Sequence, residues 1–232
     1  MTRRLDEIEL LAPAKDKQCA ITAINSGADA VYIGYQKFGA RKQAGNSLDD
    51  IREVVEYADK YRAKVHVTLN TIYKDDEIQD VVKVIKELYK IGVSAVIVQD
   101  MGLLEFDLPP ICLHASTQCN NDSLEKVKFL ENTEFQRVIL PREFSLAEIK
   151  NISENTDIEL EFFVHGALCV SYSGQCYFSY ANGGRSANRG ECAQPCRKKY
   201  SLKSADGKII AKDKYLLSLK DFNLSERIEE LI

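Results

Sequence analysis

The feature that most constrains this chain is a repeated alternation of strand and helix patterns over its first two-thirds. Short β-rich runs recur at Ile8–Leu11, Ala30–Gly34, Lys64–Leu69, Ala95–Val98, Ile111–His114, Arg137–Leu140 and Ile158–Val164. Helical patterns follow the first six: Asp16–Ser26, Leu48–Arg62, Glu77–Ile91, a short Gly102–Phe106, Ser123–Glu131 and Leu146–Glu154. In the third of these, Ile78, Val81, Val82, Ile85 and Leu88 fall on one stripe that Gly92 stops. Repeated βα units imply a parallel sheet with right-handed crossovers. No G-x-G-x-x-G follows the first strand, so the spacing favours an α/β, TIM-barrel-like (β/α)8 fold, with a doubly wound sheet as the competitor.

The pattern breaks after Val164. Residues 165–199 are rich in Cys, Gly, Ser, Asn and Arg, and show no sustained period. Tyr200–Lys212 then reads as a β-hairpin turning at Asp206-Gly207. Leu216–Leu219 is the expected eighth strand, and Asn223-Leu224-Ser225 opens a last helix that runs uncapped to the end. The expected organisation is 1–164 for the barrel units, 165–199 for a Cys-rich segment, and 200–232 for the hairpin plus the last βα unit. The uncapped helix leads us to expect an N-terminal fragment of a longer chain.

Composition enters through the cysteines. The chain has 232 residues, a net charge of −4 and seven cysteines, of which Cys169, Cys176, Cys192 and Cys196 fall within one short segment. The slight acidity argues against an unspecific polycation. The N-terminus shows no apolar signal segment, and no run is long enough to span a bilayer. We therefore expect a cytoplasmic protein with no membrane contact, whose thiols stay reduced and are available to a metal. Cys19, Cys112 and Cys119 read as structural. The spacing Cys169-x6-Cys176-x15-Cys192-x3-Cys196 leaves an iron–sulfur cluster and a zinc site open, because only its second half matches a short zinc knuckle.

Between the second and third of these cysteines lies Gly183-Gly184-Arg185-Ser186-Ala187-Asn188-Arg189-Gly190. From Arg185 to Lys199 there are five Lys or Arg and one acid, a basic patch that suits RNA phosphate or a carboxylated ligand. In a barrel, function gathers where strands end. Those positions hold Tyr32, Thr68, Asn70, Gln99, Asp100, His114, Ser116, Gln118, Arg142, Glu143 and His165. His114 and His165 are the acid/base candidates. Hydrolase signatures are missing: no two histidines stand four apart, and Ser171-Tyr172-Ser173-Gly174 is not a nucleophile elbow.

The run from Glu161 to Cys176 (EFFVHGALCVSYSGQC) and the run from Gly184 to Cys196 (GRSANRGECAQPC) resemble the signature of the collagenase-like peptidase family U32. Glu9–Ala14, Gly27–Gly34, Val98–Asp100 and Leu113–Gln118 resemble it too, so the likeness extends over essentially the whole chain. It implies a barrel followed by further sequence. The activities it implies are collagen-degrading peptidase activity in some members and RNA hydroxylation in others. The latter install 5-hydroxyuridine in tRNA, with prephenate implicated, or 5-hydroxycytidine in 23S ribosomal RNA. Relatives acting in ubiquinone hydroxylation imply a [4Fe-4S] cluster, with Cys169, Cys176 and Cys192 as matching ligands. Some relatives use as fourth ligand a cysteine near the position of Asn223; here Cys196, in its Cys-Ala-Gln-Pro-Cys context, is the candidate. The leading expectation is an iron–sulfur protein of RNA hydroxylation, with Arg142, Arg185, Asn188 and Arg189 contacting substrate. A peptidase of unassigned type and a zinc-stabilised scaffold are the alternatives.

Overall fold

The computed structural model describes residues 8–41 and 45–232. Seven parallel strands form one sheet in sequence order: β1 (Leu11–Ala14), β2 (Ala30–Gly34), β3 (Lys64–Leu69), β4 (Ala95–Val98), β5 (Cys112–Ala115), β6 (Arg137–Ile139) and β7 (Glu159–Glu161). The helices between them are α1 (Lys17–Asn25), α2 (Leu48–Asp59), α3 (Ile78–Ile91), α4 (Leu124–Glu131) and α5 (Leu146–Asn155), while a 3₁₀ turn at Met101–Glu105 joins β4 to β5. This is a TIM-barrel-like α/β architecture.

Local chemistry explains the boundaries. Asp16, Ser47, Ser123 and Ser145 each cap the helix that follows, and Ser47 with Asp50 and Ser145 with Glu148 form reciprocal capping boxes. Gly92 ends α3 in the left-handed conformation that glycine adopts without penalty. The first strand lies later than expected, at Leu11–Ala14, with Pro13 inside it. Proline is tolerated there because β1 is an edge strand, hydrogen-bonded only to β2.

Strand side chains alternate between two different environments. Val31, Ile33, Val65, Val67, Leu69, Val96, Val98, Leu113, Ala115 and Val138 join the apolar core together with Ile51, Val54, Val81, Ile85, Leu88 and Ile149 of the helices. The other face carries Tyr32, His66, Thr68, His114, Arg137 and Glu161. The sheet curls strongly about this second face. Arg137 on β6 reaches Glu9, just ahead of β1, at 2.6 Å with four strands between them in the order.

Two expectations fail after β7. Leu216–Leu219 is a turn rather than an eighth strand. The chain instead forms a two-residue strand β11 (Phe222–Asn223), which runs antiparallel to β8 (His165–Gly166) and outside the parallel sheet. The reason is local: Asp221 and Lys220 interrupt the apolar run, and Leu216 and Leu219 stay exposed. The expected last helix is a 3₁₀ segment, Ser225–Glu230, broken at Arg227. The hairpin is found where expected, as β9 (Tyr200–Lys203) and β10 (Ile209–Lys214), with Gly207 in a left-handed turn. Among the described residues, no helix is long and apolar enough to cross a membrane.

Candidate functional site

The Cys-rich segment docks on the end of the barrel where the strands finish. Glu143, just after β6, accepts hydrogen bonds from the backbone N–H and the hydroxyl of Ser173. Arg189 forks onto both oxygens of Glu77, at 2.9 and 2.7 Å, and donates to the Ile72 carbonyl. Two glycines allow the closest approaches. A Cβ on Gly174 would sit 2.2 Å from the Gln118 carbonyl oxygen, and one on Gly190 would sit 2.3 Å from that of Gly39. Both positions also have positive φ. Arg197 closes the far side by donating to Ser218 and to the carbonyls of Leu168 and Leu219.

This docking groups the four cysteines. Burial pushes the Cys169 thiol up, and the neighbouring thiols of Cys196, Cys176 and Cys192 push it further, against the pull of Arg142. The Cys192 sulfur accepts from the Gln194 N–H at 3.4 Å and from the Ser179 hydroxyl at 3.8 Å. All seven cysteines are free thiols. The described residues hold one compact group of three or more His, Cys, Asp or Glu donors that could take a metal ion, and it lies elsewhere. Zinc and iron–sulfur clusters both take four thiolates, so the quartet suits either.

The other expected residues divide between two places. Arg142 lies at the barrel mouth beside Cys169, its guanidinium 3.6 Å over the Phe163 ring, and its buried Nε has no hydrogen-bond partner among the described residues. Arg185 is exposed and donates to the Glu191 carbonyl at 3.0 Å, while Asn188 is buried and its carbonyl accepts from Ile72. His165 is exposed on β8. The structure does not bring it together with His114, which is buried inside the barrel. A cleft of about 340 Å³, lined by Ile72, Gln99, Asp100, Gln118, Tyr177 and Asn188, separates the strand ends from the segment.

Inside the barrel is a cluster that sequence reasoning missed. His66 and His114 meet edge to face, with ring centroids 4.8 Å apart. Arg137 bonds Glu9 at 2.6 Å, Glu159 at 3.0 Å and Glu161 at 3.3 Å. Burial pushes the Glu9 carboxyl up, but its bonds to Arg137 and Lys64 prevail and hold it at about 2. Burial raises Glu161 to about 7 despite Arg137. Burial lowers His66 to about 4 and His114 to about 2. An imidazole so far below neutrality is a hydrogen-bond partner or metal ligand at pH 7, not a general acid. The available signal was period-two alternation, which puts His66 and Thr68 on the face opposite Val65 and Val67.

Comparison with known proteins identifies the lineage. The family model for peptidase family U32 matches residues 15–232. The chain belongs to peptidase family U32. It is 53% identical to the 23S rRNA 5-hydroxycytidine C2501 synthase of Escherichia coli, over all of this chain and 36% of that protein. It is 37% identical to the tRNA hydroxylation protein P1 of Bacillus subtilis, over 97% of this chain and 56% of that protein. U32 proteins also carry protease names: the Porphyromonas gingivalis collagenase is 29% identical over 98% of this chain and 58% of its own length. The chain thus spans between about a third and three-fifths of these curated relatives. The solved structure of the U32 peptidase Mk0906 matches with a TM-score of 0.63 at 14% identity, covering 94% of each chain, which supports the shared fold.

Proposed function

We propose that this chain is the barrel part of an RNA hydroxylation protein, with an iron–sulfur cluster held by Cys169, Cys176, Cys192 and Cys196. The observation that carries this reading is the gathering of four free thiols about Cys169 at the barrel mouth. Bound there, a [4Fe-4S] cluster supplies one-electron redox capacity. The N–H and hydroxyl donors on Cys192 would tune it, as hydrogen bonds to sulfur do. Reduced thiols and an RNA substrate both suit the cytoplasm, where we place the protein.

Arg185, Lys198 and Lys199 are exposed on this segment, as are Tyr172, Tyr177 and Tyr180. Basic groups interleaved with exposed rings suit single-stranded RNA, whose phosphates take the charge while its bases stack. Arg189 and Asn188 serve this surface by holding the loop on the barrel through Glu77 and Ile72. Arg142 would hold a small carboxylate such as prephenate, a reading supported by its unpaired Nε beside Cys169. Among RNA targets, the 53% identity to a 23S rRNA 5-hydroxycytidine synthase, against 37% to a tRNA hydroxylation protein, favours ribosomal cytidine.

Anaerobic purification of the full protein with iron and acid-labile sulfide analysis tests the cluster. Iron and sulfide in equal amounts are expected, and both should be lost in Cys169→Ser. A colourless protein with stoichiometric zinc would overturn it. Nucleoside analysis of 23S rRNA and tRNA from a deletion strain tests the substrate, with loss of 5-hydroxycytidine expected in the former. Unchanged modification in both RNAs would sink the function.

A further inference from the structure

The compact donor group inside the barrel is independent of the cysteine segment. His66 lies on β3, His114 on β5 and Glu161 on β7. These are alternate strands, and in this architecture the inward side chains of alternate strands share a layer. Each residue offers one ligand atom, and the three atoms lie within 4.8 Å of one another. His66 is 1% and His114 4% exposed, and the Nδ1 of each is buried with no hydrogen-bond partner among the described residues. A buried polar atom left unpaired is costly, so two of them on imidazoles grouped with one carboxylate point to a missing ligand.

The surroundings supply the rest of a metal site. Arg137 donates to Oε2 of Glu161, which fixes the carboxylate as outer partners of metal ligands do, and leaves the other oxygen for coordination. The positive charge of Arg137 is balanced at close range by Glu9 and Glu159, so it does not bar a cation. Two imidazoles and one carboxylate are the donor set of many three-ligand zinc centres, whose fourth position stays open. With bonds of about 2.0–2.1 Å, tetrahedral donors stand ~3.4 Å apart, so the widest pair closes by roughly 1.4 Å, shared between two side chains, to complete the site.

We propose that His66, His114 and Glu161 bind one divalent transition-metal ion of zinc-like preference inside the barrel, pinning β3, β5 and β7 together. The test is titration of the full, iron-loaded protein with Co²⁺, read by visible absorption, and with Zn²⁺, read by thermal unfolding. One equivalent of cobalt should give tetrahedral d–d bands without a thiolate charge-transfer band, and one equivalent of zinc should raise Tm. Both signals should vanish in His66→Gln and in Glu161→Gln, with iron and sulfide content unchanged. Cobalt bound through thiolate alone, no zinc-dependent shift in the wild type, or signals that survive in both variants would overturn the proposal. Should either variant fail to fold, the wild-type titrations decide by themselves. Iron and sulfide measured in the same samples keep a failure of the cysteine cluster distinct from a failure of this site.

Discussion

At the scale of single residues, two arginines do unlike work. Arg137 is 90% shielded and surrounded by three carboxylates. Removing one partner of such a buried group leaves the others uncompensated, which typically costs about 3–5 kcal/mol. Arg137→Met should lower unfolding stability by that order in a urea titration, with the slope unchanged. Arg189 is more accessible and acts on the docked segment. Its fork lowers the Glu77 carboxyl from 4.5 to about 2. A carboxyl depressed in the folded state contributes fully above its unfolded value, and that contribution is lost as pH falls from 4.5 towards 2. Amide protection factors at Ile72 and across residues 186–190, taken relative to the intrinsic exchange rate at each pH, should therefore fall in that window. In Glu77→Gln the protection should be lower at neutral pH and no longer change over that window.

At the scale of elements, the cysteine segment depends on backbone proximity more than on its own regularity. It contains only one helical turn, α6 (Phe178–Ala181), and isolated 3₁₀ turns. Gly190→Ala should undock it, because the added carbon meets the Gly39 carbonyl and φ is +77°. Iron content should then drop while the far-ultraviolet circular dichroism of the barrel persists. By contrast Ser47→Ala should act on α2 alone. It removes the capping box with Asp50 and costs about 1 kcal/mol, measurable as a small Tm decrease with iron retained.

At the scale of the whole molecule, the barrel separates two chemistries across one sheet. Its outer face is aliphatic and packs on the helices, where Leu88→Ala should cost about 2–5 kcal/mol in thermal or denaturant unfolding. Its inner face carries histidines, an arginine and carboxylates, and it leads up to a mouth covered by the cysteine segment. The family's diverse names fit one scaffold that hosts more than one function.

The βα repeat was legible because each strand and helix announces itself within a few residues, through aliphatic alternation, serine caps and terminal glycines. Apart from the β4–β5 link and the last segment, both 3₁₀, the expected helices stand within a residue or two at all but one end. The cysteine quartet was legible for the same reason, being concentrated in one short run. The eighth strand was misplaced because Leu216–Leu219 has a strand-like composition but is followed at once by Lys220 and Asp221 and stays exposed, while Phe222–Asn223 pairs with β8 instead. Which members of the inner cluster meet could not be read: alternation marks the face of His66, but Glu9, His66, His114, Arg137 and Glu161 span more than 150 positions. The sequence by itself determined the elements and the outer core, because propensity and hydrophobic period are local. Only the tertiary structure decided which polar residues meet, because closing the sheet brings together strands that no local signal links.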